Sequence, residues 1–207
     1  YWHRLQAAGK GGPLVDYSIC AISALANKFS FPVDDQRSPL SGLSHAFHLD
    51  AHRYVALLRK LAMQRGVTHV VGHVVETNID NNGNLSSILL ADRRRVSGDF
   101  FIDCTGFKSL LIEDVLKTEF EDWSQWLPCN RAVVQASDPL SPLPSYTKAT
   151  ARSAGWQWRI PLQHRCGNGY VYSDRYISDE DALNEFEQNL PSTPTGSPRV
   201  ISFKTGF

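Results

Sequence analysis

The hexapeptide WQWRIP, residues 156–161, is the most distinctive stretch of this chain. It places two tryptophans two residues apart in a sequence that holds only five. Because side chains of a strand alternate between its faces, the two tryptophans and Ile160 share one face, and Gln157 and Arg159 take the other. The residues alone favour a half-buried strand that ends at the proline. Its large rigid aromatics can fill a core or form the wall of a cofactor pocket.

Three other strings flank the hexapeptide: FIDCTGF at 101–107, DWSQWLPCNRAV at 122–133 and GNGYVYSDRYISDE at 167–180. In this order they resemble the middle of a flavin-dependent tryptophan halogenase, a family whose signature is WxWxIP. The resemblance runs from YWHRL at Tyr1 to FKTGF at Phe207. It implies an α/β fold, with part of an FAD-binding domain of the aromatic hydroxylase type (a two-dinucleotide-binding-domain flavoprotein). The implied FAD-binding part is 1–107, and a β-rich substrate-side segment with the WxWxIP hairpin and a C-terminal helix is 108–207.

The resemblance also assigns cofactor contacts. Val74, in VVGHVVE, matches a family strand whose valine backbone reaches the adenine portion of the flavin, and Thr105 and Gly106 match neighbours of FAD. Considered alone, Gly106 fits a plain turn, which Asp103 and Cys104 can hold through side-chain hydrogen bonds. The signature residues that the resemblance places near the flavin, where they separate it from the organic substrate, are Trp156, Trp158, Ile160 and Pro161.

The FAD pyrophosphate fingerprint GxGxxG does not occur in these 207 residues. The catalytic lysine and catalytic glutamate of the family also match no position here, so the catalytic residues of this chain are unknown. Two smaller departures are Asn130, where the family pattern suggests an acidic residue after LPC, and Thr105 in place of serine. The chain begins at Tyr1 rather than methionine. We therefore expect a central section of a longer enzyme.

The implied activity is halogenation of tryptophan or a related indole. Reduced FAD, O2 and a halide ion, chloride or bromide, give a halogenated aromatic, and a separate flavin reductase supplies the reduced FAD. An FAD-dependent aromatic monooxygenase on the same fold is an alternative, although WxWxIP argues against it. A further alternative is a non-catalytic truncated fragment, because without the pyrophosphate loop we expect the isolated chain to bind FAD poorly and to be inactive.

The composition argues against several other kinds of protein and site. Lys plus Arg and Asp plus Glu both total 21, so no net field favours nucleic acid or an anionic membrane surface. No apolar run approaches the roughly 18 residues that a membrane span needs. The four cysteines form no CxxC pair, which disfavours a metal knuckle and fits reduced thiols in the cytoplasm. The oligomeric state is open.

Several secondary-structure elements have clear local signals. A helix from Asp50 to Gly66 carries an apolar stripe for packing on a core. A second helix starts after Ser178, with acidic residues in its first turn, and closes before Pro191. The predicted strands are 67–78, 85–90 (after a turn at 81–84), a doubly covered strand at 100–102, 132–136, and a last strand at 200–203. The segment 108–120 can be helical, and QHRCGNG (163–169) forms the long connection of a hairpin, with GNG as a turn.

The histidines give no clear site. His48 and His52 have the i, i+4 spacing of helical metal ligands, but the predicted helix cap lies between them, which argues against a shared face. His164 lies in the predicted hairpin connection. A general base needs a positioned partner, and nothing in the sequence supplies one for His164.

Overall fold

The computed structural model describes residues 1–207, the whole chain. The helices are α1 (Trp2–Ala7), α2 (Ile19–Leu25), α3 (Ala51–Gln64) and α4 (Asp179–Gln188). Turns of 3-10 helix lie at Leu14–Tyr17, Pro39–Gly42 and Gly106–Lys108, and a π-helical segment lies at Leu110–Val115. The strands are β1 (Val74–Ile79), β2 (Leu85–Leu90), β3 (Arg95–Ser97), β4 (Arg131–Ser137), β5 (Lys148–Arg152), β6 (Gly155–Pro161), β7 (Cys166–Tyr172) and β8 (Pro194–Ser202).

The chain forms two compact units. The first contains Tyr1–Asp50 and Arg131–Ser202, and the second contains Ala51–Asn130 and Phe203–Phe207. The first holds a five-stranded sheet and the second a three-stranded sheet. The sequence predicts a different division, into an FAD-binding part before residue 108 and a substrate-side segment after it. That division concerns function rather than compactness, and it stays a prediction.

The five-stranded sheet has the antiparallel order β5-β6-β7-β4-β8. Helix α4 covers one of its faces, where Phe186 and Ala182 pack on Tyr170 and Tyr172 of β7 and Val133 of β4, all of them fully buried. Burying one large apolar side chain contributes about 1.5–3 kcal/mol, so this cluster is the main core of the unit.

Helix α4 begins where the sequence predicts. The Ser178 hydroxyl accepts a hydrogen bond from the backbone N–H of Asp181 at 3.0 Å and donates one to the Asp181 carboxylate at 2.8 Å. This reciprocal cap satisfies an N-terminal donor of the helix. Asp179, Glu180 and Asp181 in the first turn also interact favourably with the helix dipole.

The three-stranded sheet has the order β1-β2-β3, and the predicted hairpin between β1 and β2 is confirmed. Its turn is held by Asp80, whose carboxylate accepts from the backbone N–H groups of Asn82 and Asn84, both at 2.8 Å. The predicted strand 67–78 is wrong for residues 67–73, because pairing with β2 starts only at Val74.

Two predictions of burial in the second unit are wrong. Helix α3 forms as predicted, but its apolar stripe is exposed at Tyr54, Leu57, Leu58 and Leu61. The apolar run 100–102 is not a strand, and Phe100 and Ile102 are 83% and 77% exposed. Periodicity identifies a face suited to burial, but burial also requires a covering layer. The second unit has little such covering layer, since its only buried residues are Ser87 and Leu90.

Two boundaries in the first unit also differ from prediction. The GNG segment is not a turn: β7 starts at Cys166, and the β6–β7 connection is shortened to residues 162–165. The last strand starts at Pro194 rather than Val200, because a bulge opposite β4 lets it pair over a longer stretch. β8 is an edge strand, where proline is tolerated.

Candidate functional site

Strand β6 carries the two signature tryptophans on the sheet face opposite α4. Gln157, between them in sequence, is 5% exposed, and its side chain donates to the carbonyl of Asn189 at the end of α4 at 3.3 Å. The alternation of the strand therefore directs Trp156 and Trp158 away from the α4 core. Their ring centroids are 5.9 Å apart, with planes inclined by 52°. The tryptophans share a face, as the sequence predicts, but they do not fill the core.

The cross-strand neighbours of the paired indoles are glycine, alanine and valine. Trp158 is flanked by Ala149 of β5 and Gly169 of β7. Trp156 is flanked by Ala151 and Val171 and remains 43% exposed, whereas Trp158 is half-buried. The two aromatic rings and their aliphatic neighbours form an apolar surface, which suits contact with a planar ring system.

The end of β6 is fixed by His48, a residue for which the sequence predicts no function. Pro161 is fully buried, and its carbonyl oxygen lies 2.9 Å from Nδ1 of His48. The other ring nitrogen, Nε2, lies 3.2 Å from the Thr147 hydroxyl at the start of β5. No sequence signal could reveal this contact, because His48 and Pro161 are 113 positions apart.

His164 has a partner that the sequence does not suggest. Its Nε2 atom lies 2.8 Å from the Asp50 carboxylate, which is 14% exposed. Asp50 directly precedes α3, as expected for the start of that helix. With His48, this pair ties the segment 48–50 to the β6–β7 hairpin at two points.

On the face of the sheet that α4 covers, a polar network connects this helix to β7 and to the turn between β5 and β6. The Glu185 carboxylate accepts hydrogen bonds from the Ser153 hydroxyl at 2.6 Å and the Tyr170 hydroxyl at 3.1 Å. The Tyr170 oxygen in turn accepts from the buried backbone N–H of Ala154 at 3.1 Å. Burial acts to raise the pKa of Glu185, but the hydrogen bonds from Ser153 and Tyr170 outweigh it and lower that pKa. Burial, chiefly, raises the pKa of the Tyr170 hydroxyl.

The residues assigned to FAD from the sequence lie in the second unit. Val74 is the first residue of β1, half-buried and opposite Leu90. Thr105 and Gly106 are exposed at the end of the FIDCTG segment. Gly106 has φ +67°, a conformation that favours glycine, and a Cβ placed there would meet no atom within 4 Å. The space beside the Gly106 backbone is therefore empty.

Asp103 organises this loop, in agreement with the side-chain hydrogen bonds expected from the sequence. One carboxylate oxygen accepts from the backbone N–H and the hydroxyl of Thr105, at 3.0 and 2.7 Å. The other accepts from the N–H groups of Leu111 and Ile112, at 2.7 and 3.1 Å. Desolvation opposes ionisation of Asp103, yet these four bonds lower its pKa to about 2.

The candidate residues thus fall into two sets. Val74, Thr105 and Gly106 belong to the second unit, and the four signature residues on β6 belong to the first. No group of three or more His, Cys, Asp or Glu side chains is arranged to hold a metal ion. None of the helices combines the length and apolarity required to cross a bilayer.

The fold and the indole-bearing sheet define a class of protein. The chain superposes on BrvH, a flavin-dependent halogenase from Brevundimonas sp. BAL3, with a TM-score of 0.90 and 40% identity, covering 100% of this chain and 42% of that one. It superposes on Xcc4156, a flavin-dependent halogenase from Xanthomonas campestris, with a TM-score of 0.87 and 35% identity, covering 99% and 41%. The architecture described above is that of flavin-dependent halogenases.

The family is also identified at the level of sequence. The family model for tryptophan halogenase matches residues 1–207, so the chain belongs to the tryptophan halogenase family. It is 34% identical over 216 aligned residues to tryptophan 7-halogenase RebH of Lentzea aerocolonigenes, covering 100% of this chain and 39% of RebH. The chain spans about two fifths of the length of these relatives. The family assignment made from WxWxIP and its flanking strings is confirmed.

Proposed function

We propose that the protein to which this chain belongs is an FAD-dependent halogenase of tryptophan or a related indole. The observation that carries the proposal is the position of the WQWRIP tryptophans. They project from the sheet face opposite the α4 core, in a chain that matches flavin-dependent halogenases over its whole length. The space beneath α4 is taken by Gln157 and by neither indole.

We assign FAD to two sets of residues. The open backbone at Gly106, next to the exposed Thr105, suits a polar part of the cofactor, and Val74 lies in the strand that we assign to its adenine portion. Trp156 and Trp158 offer an apolar aromatic surface suited to the isoalloxazine ring. When bound and reduced, FAD would activate O2 for oxidation of the halide.

The role proposed for the signature residues is steric. Trp156 and Trp158 separate the organic substrate from the flavin, which disfavours direct oxygen transfer to the substrate. Ile160 continues the same face, and Pro161 ends the strand, anchored by His48. An indole side chain has no group that titrates near neutral pH, so we assign these residues no proton transfer.

The whole protein also requires partners. We propose that a separate flavin reductase supplies reduced FAD and that chloride or bromide is the second co-substrate. The four cysteines are free thiols, which supports a reducing compartment, and we place the protein in the cytoplasm.

The direct test uses the protein encoded by the complete gene, with a flavin reductase, FAD, NADH, O2 and bromide or chloride. We expect a halide-dependent mass gain on tryptophan or another indole, detected by mass spectrometry. Incorporation of oxygen without halogen would instead establish an aromatic monooxygenase. Omitting halide and omitting the reductase are the two controls.

The isolated chain tests the contribution of the missing pyrophosphate loop. No GxGxxG occurs in the 207 residues, so we expect the isolated chain to bind FAD weakly and to be inactive. Titration of FAD, followed by quenching of its fluorescence, measures this affinity. A micromolar or tighter complex would show that these residues hold FAD without the loop.

A further inference from the structure

Gly169 is in unusually close contact with one of the two signature tryptophans. It lies directly opposite Trp158 in the β6–β7 ladder. A Cβ placed on Gly169 would overlap three carbons of the Trp158 ring, Cζ2, Cη2 and Cε2. The indole of Trp158 therefore lies across the backbone of β7, in space that any other residue at 169 would fill.

The other tryptophan has a different neighbour. Trp156 lies opposite Val171, whose branched side chain prevents the same approach. Trp156 remains 43% exposed, and the two ring planes are inclined by 52°. The two tryptophans of WQWRIP are thus not equivalent, and the residues opposite them on β7 account for the difference.

Gly167 shows that the contact is specific to position 169. It lies on the same strand and the same face, opposite Ile160. A Cβ at Gly167 would be 3.5 Å from the Arg165 guanidinium and 3.7 Å from the Ile160 carbonyl oxygen, which are ordinary contacts. The GNG segment therefore contains one glycine required for packing and one that tolerates alanine.

We infer that Gly169 is a positioning residue that sets the orientation of Trp158. The lack of a side chain at 169 lets this indole lie against the backbone of β7, beside Trp156. The consequence for catalysis rests on the proposed function: a raised Trp158 would occupy space that we assign to the flavin. The orientation itself does not depend on that function.

The first test measures the orientation directly. The chain holds five tryptophans, so labelling with 5-fluorotryptophan gives five ¹⁹F resonances, and that of Trp158 is assigned by its loss in Trp158→Phe. We expect Gly169→Ala to shift the Trp158 resonance by several line widths and that of Trp156 by less. Gly167→Ala should leave both in place. Equal spectra for the two alanine variants would overturn the proposal.

A double-mutant cycle covers the case in which Gly169→Ala folds poorly. Removing the ring with Trp158→Ala also removes the overlap, so Gly169→Ala should lower the thermal unfolding midpoint much less in that background. If Gly169→Ala lowers the midpoint equally with and without the Trp158 ring, the ring is not what the alanine meets, and the inference fails.

A third measurement uses the complete enzyme and separates the two proposals. We expect Gly169→Ala to lower the yield of halogenated product per NADH consumed at least roughly ten-fold, because small displacements at a reacting site are costly. Gly167→Ala should keep the parent yield. If the parent enzyme halogenates no indole, the proposed function fails, while the ¹⁹F spectra still decide the role of Gly169. If Gly169→Ala gives as much halogenated product per NADH as the unsubstituted enzyme, although its Trp158 resonance is shifted, the catalytic part of the inference is overturned.

Discussion

The Nδ1 atom of His48 lies 2.9 Å from the carbonyl oxygen of Pro161, the last residue of the signature strand. A carbonyl oxygen only accepts, so Nδ1 carries the proton and donates it. In the neutral ring, Nε2 then accepts from the Thr147 hydroxyl at 3.2 Å. One imidazole thus joins the end of β6 to the start of β5.

Loss of this anchor is expected to destabilise the first unit. His48→Ala leaves the carbonyl of a buried proline without its donor, which should cost about 1–3 kcal/mol in the free energy of unfolding. His48→Asn places an amide N–H near the position of Nδ1 and should retain most of the stability. Urea denaturation measures both. Equal losses in the two variants would show that the hydrogen bond is not what matters.

The two buried tyrosines of β7 should respond differently to removal of their hydroxyls. Tyr170→Phe deprives the buried N–H of Ala154 of its acceptor and Glu185 of a donor, so we expect a loss of about 2 kcal/mol. Tyr172→Phe removes a 2.7 Å bond to Asp179, which is exposed and can turn to water, so about 1 kcal/mol is expected. Chemical denaturation gives the comparison, and a larger loss in Tyr172→Phe would contradict the assignment.

The Glu185 network predicts a pH dependence of stability. The pKa of Glu185 is lowered in the folded state, so its stabilisation is fully present above the ordinary glutamate pKa. It is lost as the pH falls through the lowered folded value. We expect Glu185→Gln to flatten the acid limb of a plot of unfolding free energy against pH.

The control for that measurement is Glu187→Gln, an exposed carboxylate on the same helix. This variant should leave the acid limb unchanged. An acid limb that keeps its full slope in Glu185→Gln would place the titrating group elsewhere.

The Asp103 loop predicts a second dependence of stability on acid pH. The folded pKa of Asp103 is about 2, below its ordinary value, so the loop is stabilised above the ordinary aspartate range. This stabilisation should disappear as the pH falls toward about 2. The backbone amide resonances of Leu111 and Ile112, which donate to this carboxylate, should shift over that interval.

Asp103→Asn supplies the corresponding variant. Its single carbonyl oxygen cannot replace both carboxylate oxygens, so one pair of the four bonds is lost. Hydrogen exchange at neutral pH should become faster at the amides that lose their acceptor, either that of Thr105 or those of Leu111 and Ile112. Asp99→Asn, at an exposed carboxylate in the same segment, is the control and should leave that exchange unchanged.

Elements with strong local signals were predictable. Helix α4 follows from the Ser178 cap, the acidic first turn and the apolar stripe through Ala182 and Phe186. The β1–β2 hairpin follows from the turn residues at 81–84, and α3 forms within its predicted bounds. Each of these signals is formed by residues close together in the chain, so it can be read from the sequence alone.

Predictions that depend on distant residues were less successful. The apolar run at 100–102 predicts a doubly covered strand, but no layer covers Phe100 and Ile102. GNG has the composition of a turn, yet it lies within β7, because it pairs with β4 on one side and β6 on the other. The pairs His48–Pro161 and Asp50–His164 join residues more than a hundred positions apart, and no local pattern indicates them.

The sequence by itself determined the family of this protein, the helices and hairpins set by caps and turns, and the common face of the two signature tryptophans. Only the tertiary structure decided which side of β6 meets the core: Gln157 lies beneath α4, and the indoles lie opposite it. The physical reason is that a period of two assigns side chains to two faces without specifying which face is covered. That choice depends on the side of the sheet on which α4 packs, and the orientation of Trp158 depends on a glycine in the next strand.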